Sequence, residues 1–139
     1  MRVSAVAALA LVLAGCGGPS AKPLTAAQKR ACTVRIFFSG TATRAEELSV
    51  AAKLRSDARV ARFSFASKAQ ALATMKKKYP NLTSSIPSNP LPDSYTAVPG
   101  QLDDLAGLAH SVTAAHWPGV ETVNSGSILR SLCGGGGSR

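Results

Sequence analysis

The chain is poor in the residues that usually carry catalysis. Of its 139 residues only two are histidine and seven are acidic, and aromatic side chains make up 5%. His110 and His116, six positions apart in one helical pattern, point in different directions, so they suggest neither a zinc pair nor a base with its orienting partner. There are three cysteines, and no two are spaced C-x-x-C, which leaves redox and zinc chemistry without a motif. Glu46-Glu47 and Asp103-Asp104 each open a helical pattern, where carboxylates complement the macrodipole, and this outweighs a paired-carboxylate hydrolase site. Ser67 and Ser94 have no evident activating base. The chain reads as a non-enzyme with no metal, cofactor or small-molecule substrate.

Long apolar runs are missing too. Val3 to Val12 is too short to span a bilayer, but it follows the positive Arg2 and leads into Leu13-Ala14-Gly15-Cys16. That ending resembles the lipobox of bacterial lipoproteins. The resemblance implies a signal peptide over 1–15, cleavage before Cys16, and diacylglycerol on the Cys16 thiol with a further acyl chain such as palmitate on the new amine. Several buried chains make a lasting anchor where one is marginal. The expected location is the outer face of the cell membrane; a plain secretory signal with an incidental cysteine is the alternative.

With Cys16 set aside as a lipid carrier, Cys32 and Cys133 form an even pair in a disulfide-permissive compartment. A bond between them closes a loop of 101 positions, worth roughly 4 to 5 kcal/mol on the chain-entropy model. Two free buried thiols are the other possibility. The formal charge of +9 drops to +8 when Arg2 leaves with the signal, and much of the remainder sits at Lys22, Lys29, Arg30 and Arg139. Outside a membrane such a surface meets anionic lipid or wall polymer rather than nucleic acid.

Punctuation sets the boundaries. Gly17 to Pro23 reads as a flexible tether and Leu24 to Ala31 as a frayed helical turn, so 16–31 is linker, 32–133 the domain, and 134–139 a glycine-rich tail. Between the cysteines, strand and helix signals alternate. Val34, Ile36 and Phe38 alternate with Arg35 and Phe37, defining a strand over 33–38. Thr43 and Glu46 form a capping box ahead of a helix to Ser56, with Leu48, Ala51 and Leu54 as its buried stripe. Val60 to Ala66 is a strand, and Ser67 with Gln70 caps a helix that Pro80 ends, with Leu72, Met75 and Tyr79 on one face. Residues 81–94 are loop, broken by Pro87, Pro90 and Pro92. Tyr95 to Val98 is a strand, Gln101 to His116 a helix, and Val120 to Asn124 the last strand. The pattern predicts an α+β fold, a ferredoxin-like βαβ–(α, loop)–βαβ sandwich with an antiparallel sheet and helices on one face.

Three blocks, Val60-Ala-Arg-Phe63-Ser-Phe65 through Leu72, Asn89-Pro-Leu-Pro-Asp-Ser-Tyr95, and Pro118-Gly-Val-Glu121-x-Val123, resemble the extracellular domain of the permease-like cell-division protein FtsX. The match runs in order over about 33–124. In that family the domain lies outside the cell and binds peptidoglycan hydrolases or their adaptors, coupled through membrane helices to a cytoplasmic ATPase. The resemblance therefore implies a protein-recognition module with a partner outside the cell. No apolar stretch after Cys133 is long enough to span a membrane, so the lipid and the disulfide are expected to stand in for the family's membrane helices. The family uses the segment between the two halves as a partner surface, and here it offers Met75, Tyr79, Leu82, Ile86 and Leu91; the alternative role of this apolar set, and of Leu72, Met75 and Tyr79 above all, is to cap the core. The competing expectation is attachment to anionic wall polymer through Lys53, Arg55, Arg59, Arg62 and Lys76-Lys77-Lys78.

Overall fold

Alternating burial is clearest along Val34–Phe38, a strand that pairs with neighbours on both sides. The computed structural model describes residues 23–83, 88–126 and 133. In chain order its elements are α1 (Ala26–Ala31), β1 (Val34–Phe38), α2 (Arg44–Ser56), β2 (Val60–Ala66), α3 (Lys68–Lys78), α4 (Pro80–Thr83), β3 (Ser94–Pro99), α5 (Asp104–Ala114) and β4 (Val120–Ser125). The strands form one antiparallel sheet in the order β2-β3-β1-β4. This is the split βαβ arrangement expected of two interleaved halves.

Period-two alternation puts Val34, Ile36 and Phe38 on the inner face, all fully buried. Ile36 stands opposite Tyr95 on β3 and Val123 on β4. Val50, Ala51 and Leu54 of α2, with Leu105, Leu108 and Val112 of α5, close over that face and complete the core. Tyr95 is its aromatic hub: Phe38 and Phe63 meet it edge-on with centroids 5.7 Å away, and Phe65 lies tilted at 5.1 Å. Removing this phenol from water raises its pKa.

Both expected capping boxes are present. The hydroxyl of Thr43 accepts from the Glu46 amide, that of Ser67 accepts from the Gln70 amide, and the N3 side chain answers each. The stripe on α2 differs from the expected one. Leu48 is 53% exposed, whereas Glu47 is buried at 7%. At 3.6 residues per turn Glu47 falls nearly in line with Leu54, while Leu48 lies roughly 120° away. Packing of Val50 and Leu54 therefore turns Glu47 inward, and Arg44 Nη1 neutralises it at 2.9 Å.

Regular structure begins ahead of Cys32, within the stretch expected to be linker. Thr25 and Gln28 form a capping box on α1, and Leu24 just before it is 8% exposed, so the chain is already docked there. Unlike α2 and α5, α1 lies on the outer face of the sheet, against β3. Cys32, fully buried, is bonded to Cys133, with Cα atoms 5.4 Å apart. Nearby, the Gly126 amide donates to the Thr33 carbonyl. A Cβ at Gly126 would come within 2.2 Å of the Ala31 oxygen, so only glycine fits this crossing. Cys16 and the 134–139 tail lie outside the described residues.

Candidate recognition surface

The segment between β2 and β3 has a firmly held base. Asn89 to Asp93, the most distinctive string of the sequence, builds it. Asp93 Oδ1 accepts from the Lys68 amide at 2.6 Å, Asn89 Nδ2 donates to the Lys68 carbonyl at 2.6 Å, and Asn89 Oδ1 accepts from the Leu91 amide at 3.0 Å. The Asp93 carbonyl in turn accepts from the Phe38 amide at 3.0 Å. One short string thus satisfies the first turn of α3 and joins it to the ends of β1 and β3. The prolines hold the string extended for these contacts.

Beyond its base, α3 departs from the body of the domain. None of its residues is buried, and its main packing partner is the short α4 that follows. Leu72 and Met75 are half-buried, Tyr79 is 54% exposed, and Leu91 is half-buried. Leu72, Met75 and Tyr79 are not members of the core cluster. Lys76, Lys77 and Lys78 form the exposed last turn, where cations complement the helix terminus. The structure brings Met75 and Tyr79 together on this projecting element. The side chain of Leu82 and the whole of Ile86 lie outside the described residues.

Three of the cations expected to form a polymer-binding surface are engaged within the domain. Lys53 stands over Trp117 at 5.1 Å and Arg55 over Phe63 at 5.8 Å, each covering an aromatic at the rim of the core. Arg59 is a structural tie. Its guanidinium grips Asp57 through Nε at 2.9 Å and Nη2 at 2.6 Å, and Nη2 also donates to Ser111 on α5 at 2.9 Å. That grip holds the Asp57 carboxyl below its usual pKa. Arg62 stands on the outer face of the sheet, away from α2.

Carboxylates serve as caps and pairs. Glu46 accepts from the Thr43 amide at 2.7 Å, which lowers its pKa, and Glu47 pairs with Arg44. His110 and His116 are both exposed, and His116 closes α5 in the left-handed region with φ 45°. Among the described residues no three His, Cys, Asp or Glu side chains converge as metal ligands, and no helix is long and apolar enough to cross a membrane.

Sequence reasoning read α1 only as a frayed helical turn within the tether, and missed α4 and the Arg59 tie. The Thr25-x-x-Gln28 box was a readable signal for α1; a bond from Arg59 to Ser111, 52 positions away, had none.

A family model for the FtsX extracellular domain matches residues 31–131. Two solved structures share the fold. The crystal structure of extracellular domain 1 of FtsX from Streptococcus pneumoniae, in complex with undecyl-maltoside, is 17% identical with a TM-score of 0.57, covering 69% of this chain and 95% of that one. The solution structure of the large extracellular loop of FtsX in Streptococcus pneumoniae is 17% identical with a TM-score of 0.56, covering 68% and 98%. No curated protein matches.

Proposed function

The chain belongs to the FtsX extracellular-domain family, and we propose that it is a non-catalytic recognition protein acting outside the cell, lipid-anchored through the lipobox-like Leu13-Ala14-Gly15-Cys16. Cys16 carries the lipid, and the domain binds a peptidoglycan hydrolase, its adaptor or another division partner. The observation that carries this reading is α3: a capped helix, fixed at its base by Asn89 and Asp93, with no buried residue and with Tyr79 54% exposed. A helix that contributes so little to the core is available for a partner's groove. Met75, Tyr79, Leu82, Ile86 and Leu91 supply its apolar contacts.

The test is a photo-crosslinking residue in place of Tyr79, with one in place of His110 as a control, in intact cells. The expected product joins the Tyr79 probe to a wall hydrolase or division protein and is absent with the control. Equal labelling at both positions, or none at Tyr79, removes α3 as the partner surface. For the anchor, Cys16→Ser is expected to move the protein out of the membrane fraction, and an unlipidated, signal-cleaved form retained there counts against it.

A further inference from the structure

Behind the sheet, on the side away from α2 and α5, α1 roofs a cleft of about 440 Å³, within the range of small-ligand sites. Its walls are Lys29 and Arg30 from α1 and Arg62, Ser64, Thr96 and Val98 from the outer faces of β2 and β3. Arg35 stands in the same cross-strand row as Thr96 and Ser64, which puts a fourth cation alongside. None of the chain's seven acidic side chains lines the cleft. Among the described residues Lys29, Arg35 and Arg62 enter no ion pair, in contrast to Arg44 and Arg59. Cations from two elements, hydroxyls between them and no counter-charge are the recognition chemistry of a phosphate group.

We propose that this cleft binds the phosphate headgroup of an anionic phospholipid in the membrane to which the chain is anchored. The choice of lipid rests on the Cys16 lipidation proposed above and on where the tether ends. Pro23 and Leu24 line an adjoining cavity of about 290 Å³ together with Lys29 and Arg62. Seven positions separate Cys16 from Pro23, so the cleft opens no more than roughly 25 Å of chain from the acylated residue. A connection this short in sequence presents headgroups at roughly millimolar effective concentration. A site of modest affinity is filled under those conditions. Arg62 takes the phosphate as a fork, Lys29 and Arg30 act as point charges, Ser64 and Thr96 donate from the sheet, and Val98 floors the glycerol side. Docked this way, the domain turns its outer sheet face to the bilayer and α3 is free on the rest of its surface.

The experiment titrates the chain from residue 16 onward, bearing Cys16→Ser and keeping every described residue, and follows backbone amides by NMR. The probes are dihexanoyl phosphatidylglycerol and dihexanoyl phosphatidylcholine, both below micelle-forming concentration, and inorganic phosphate. Saturable shifts at Arg62, Ser64 and Thr96 are expected with phosphatidylglycerol, not with phosphatidylcholine, and more weakly with phosphate. Arg62→Glu with Lys29→Glu, both at exposed positions, is expected to weaken binding at least about tenfold, with remote amides unchanged. Lys76→Glu with Lys77→Glu makes the same charge change on α3 and is expected to leave binding intact. No shift with phosphatidylglycerol, equal shifts with phosphatidylcholine, or equal loss in the α3 variant overturns the site; phosphate binding as tightly as the lipid overturns the lipid as occupant. Acylation of Cys16 is read separately from the intact mass of membrane-purified protein, which distinguishes failure of the anchor from failure of the cleft.

Discussion

Arg59 combines several structural roles at the surface of this domain. It chelates the aspartate that ends α2, reaches Ser111 on α5, and its own carbonyl accepts from the Gly100 amide, so it ties three connections at one corner. Arg59→Ala is expected to lower stability by about 1 to 2 kcal/mol in chemical denaturation, a value already reduced for the partial solvent exposure of the pair. The pH dependence follows from Asp57, whose pKa is lower in the fold than in the unfolded chain. Its contribution is fully present above the ordinary carboxylate range near about 4 and is lost as pH falls through the lower, folded value. The difference between wild type and Asp57→Asn is therefore expected at neutral pH and is expected to vanish in strong acid. A second residue-scale prediction concerns His116, held at φ 45° beyond the end of α5. Glycine takes that conformation without a Cβ penalty, so His116→Gly is expected to raise the thermal midpoint, by about 0.5 to 1 kcal/mol of stability.

Two helices of similar length serve opposite ends. The inner side of α2 is sealed into the core, with Leu54 fully buried, and Leu54→Ala is expected to cost about 2 to 5 kcal/mol. By contrast, α3 buries no residue, and Met75→Ala with Tyr79→Ala is expected to stay within about 1 kcal/mol of wild type while reducing partner capture. Asp93→Ala isolates the base of α3. Hydrogen exchange is expected to speed up along α3 and to remain slow in β1, because the lost acceptor serves only the Lys68 amide. Both helices were legible from their capping boxes, since Thr43-x-x-Glu46 and Ser67-x-x-Gln70 are local signals. What separates a core helix from a projecting one was not, because nothing in the short stripe Leu72, Met75, Tyr79 says whether a sheet lies beneath it. The rotation of α2 that buries Glu47 and exposes Leu48 was likewise hidden: it is decided by the fit of Val50 and Leu54 against the sheet.

For the molecule as a whole, alternation and punctuation made the strand order inferable, because two βαβ units sharing one sheet have few economical arrangements. The outer cleft escaped the sequence: Lys29 and Arg62 are 33 positions apart and meet only once α1 folds back over β3. The Cys32–Cys133 bond spans a 101-residue separation and welds the two ends of the domain within the core. Cys32→Ser with Cys133→Ser is expected to cost up to roughly 4 to 5 kcal/mol in denaturant unfolding, with the same sheet retained at low temperature.

The strand register also sets how this domain carries a load. Val34, next to Cys32, lies opposite Ala97, whereas Phe37 lies opposite Ser94, where the chain returns from α3. Chain end and α3 base therefore sit at opposite ends of the β1–β3 pair. Tension applied between a tethered N-terminus and a partner gripping α3 runs along the strands and shears the β1–β3 hydrogen bonds together instead of peeling them one at a time. Because the disulfide joins Cys133 to the start of β1, load entering at Cys32 also reaches the other end of the domain, which would make the domain a stiff link between the proposed anchor and the proposed partner on α3.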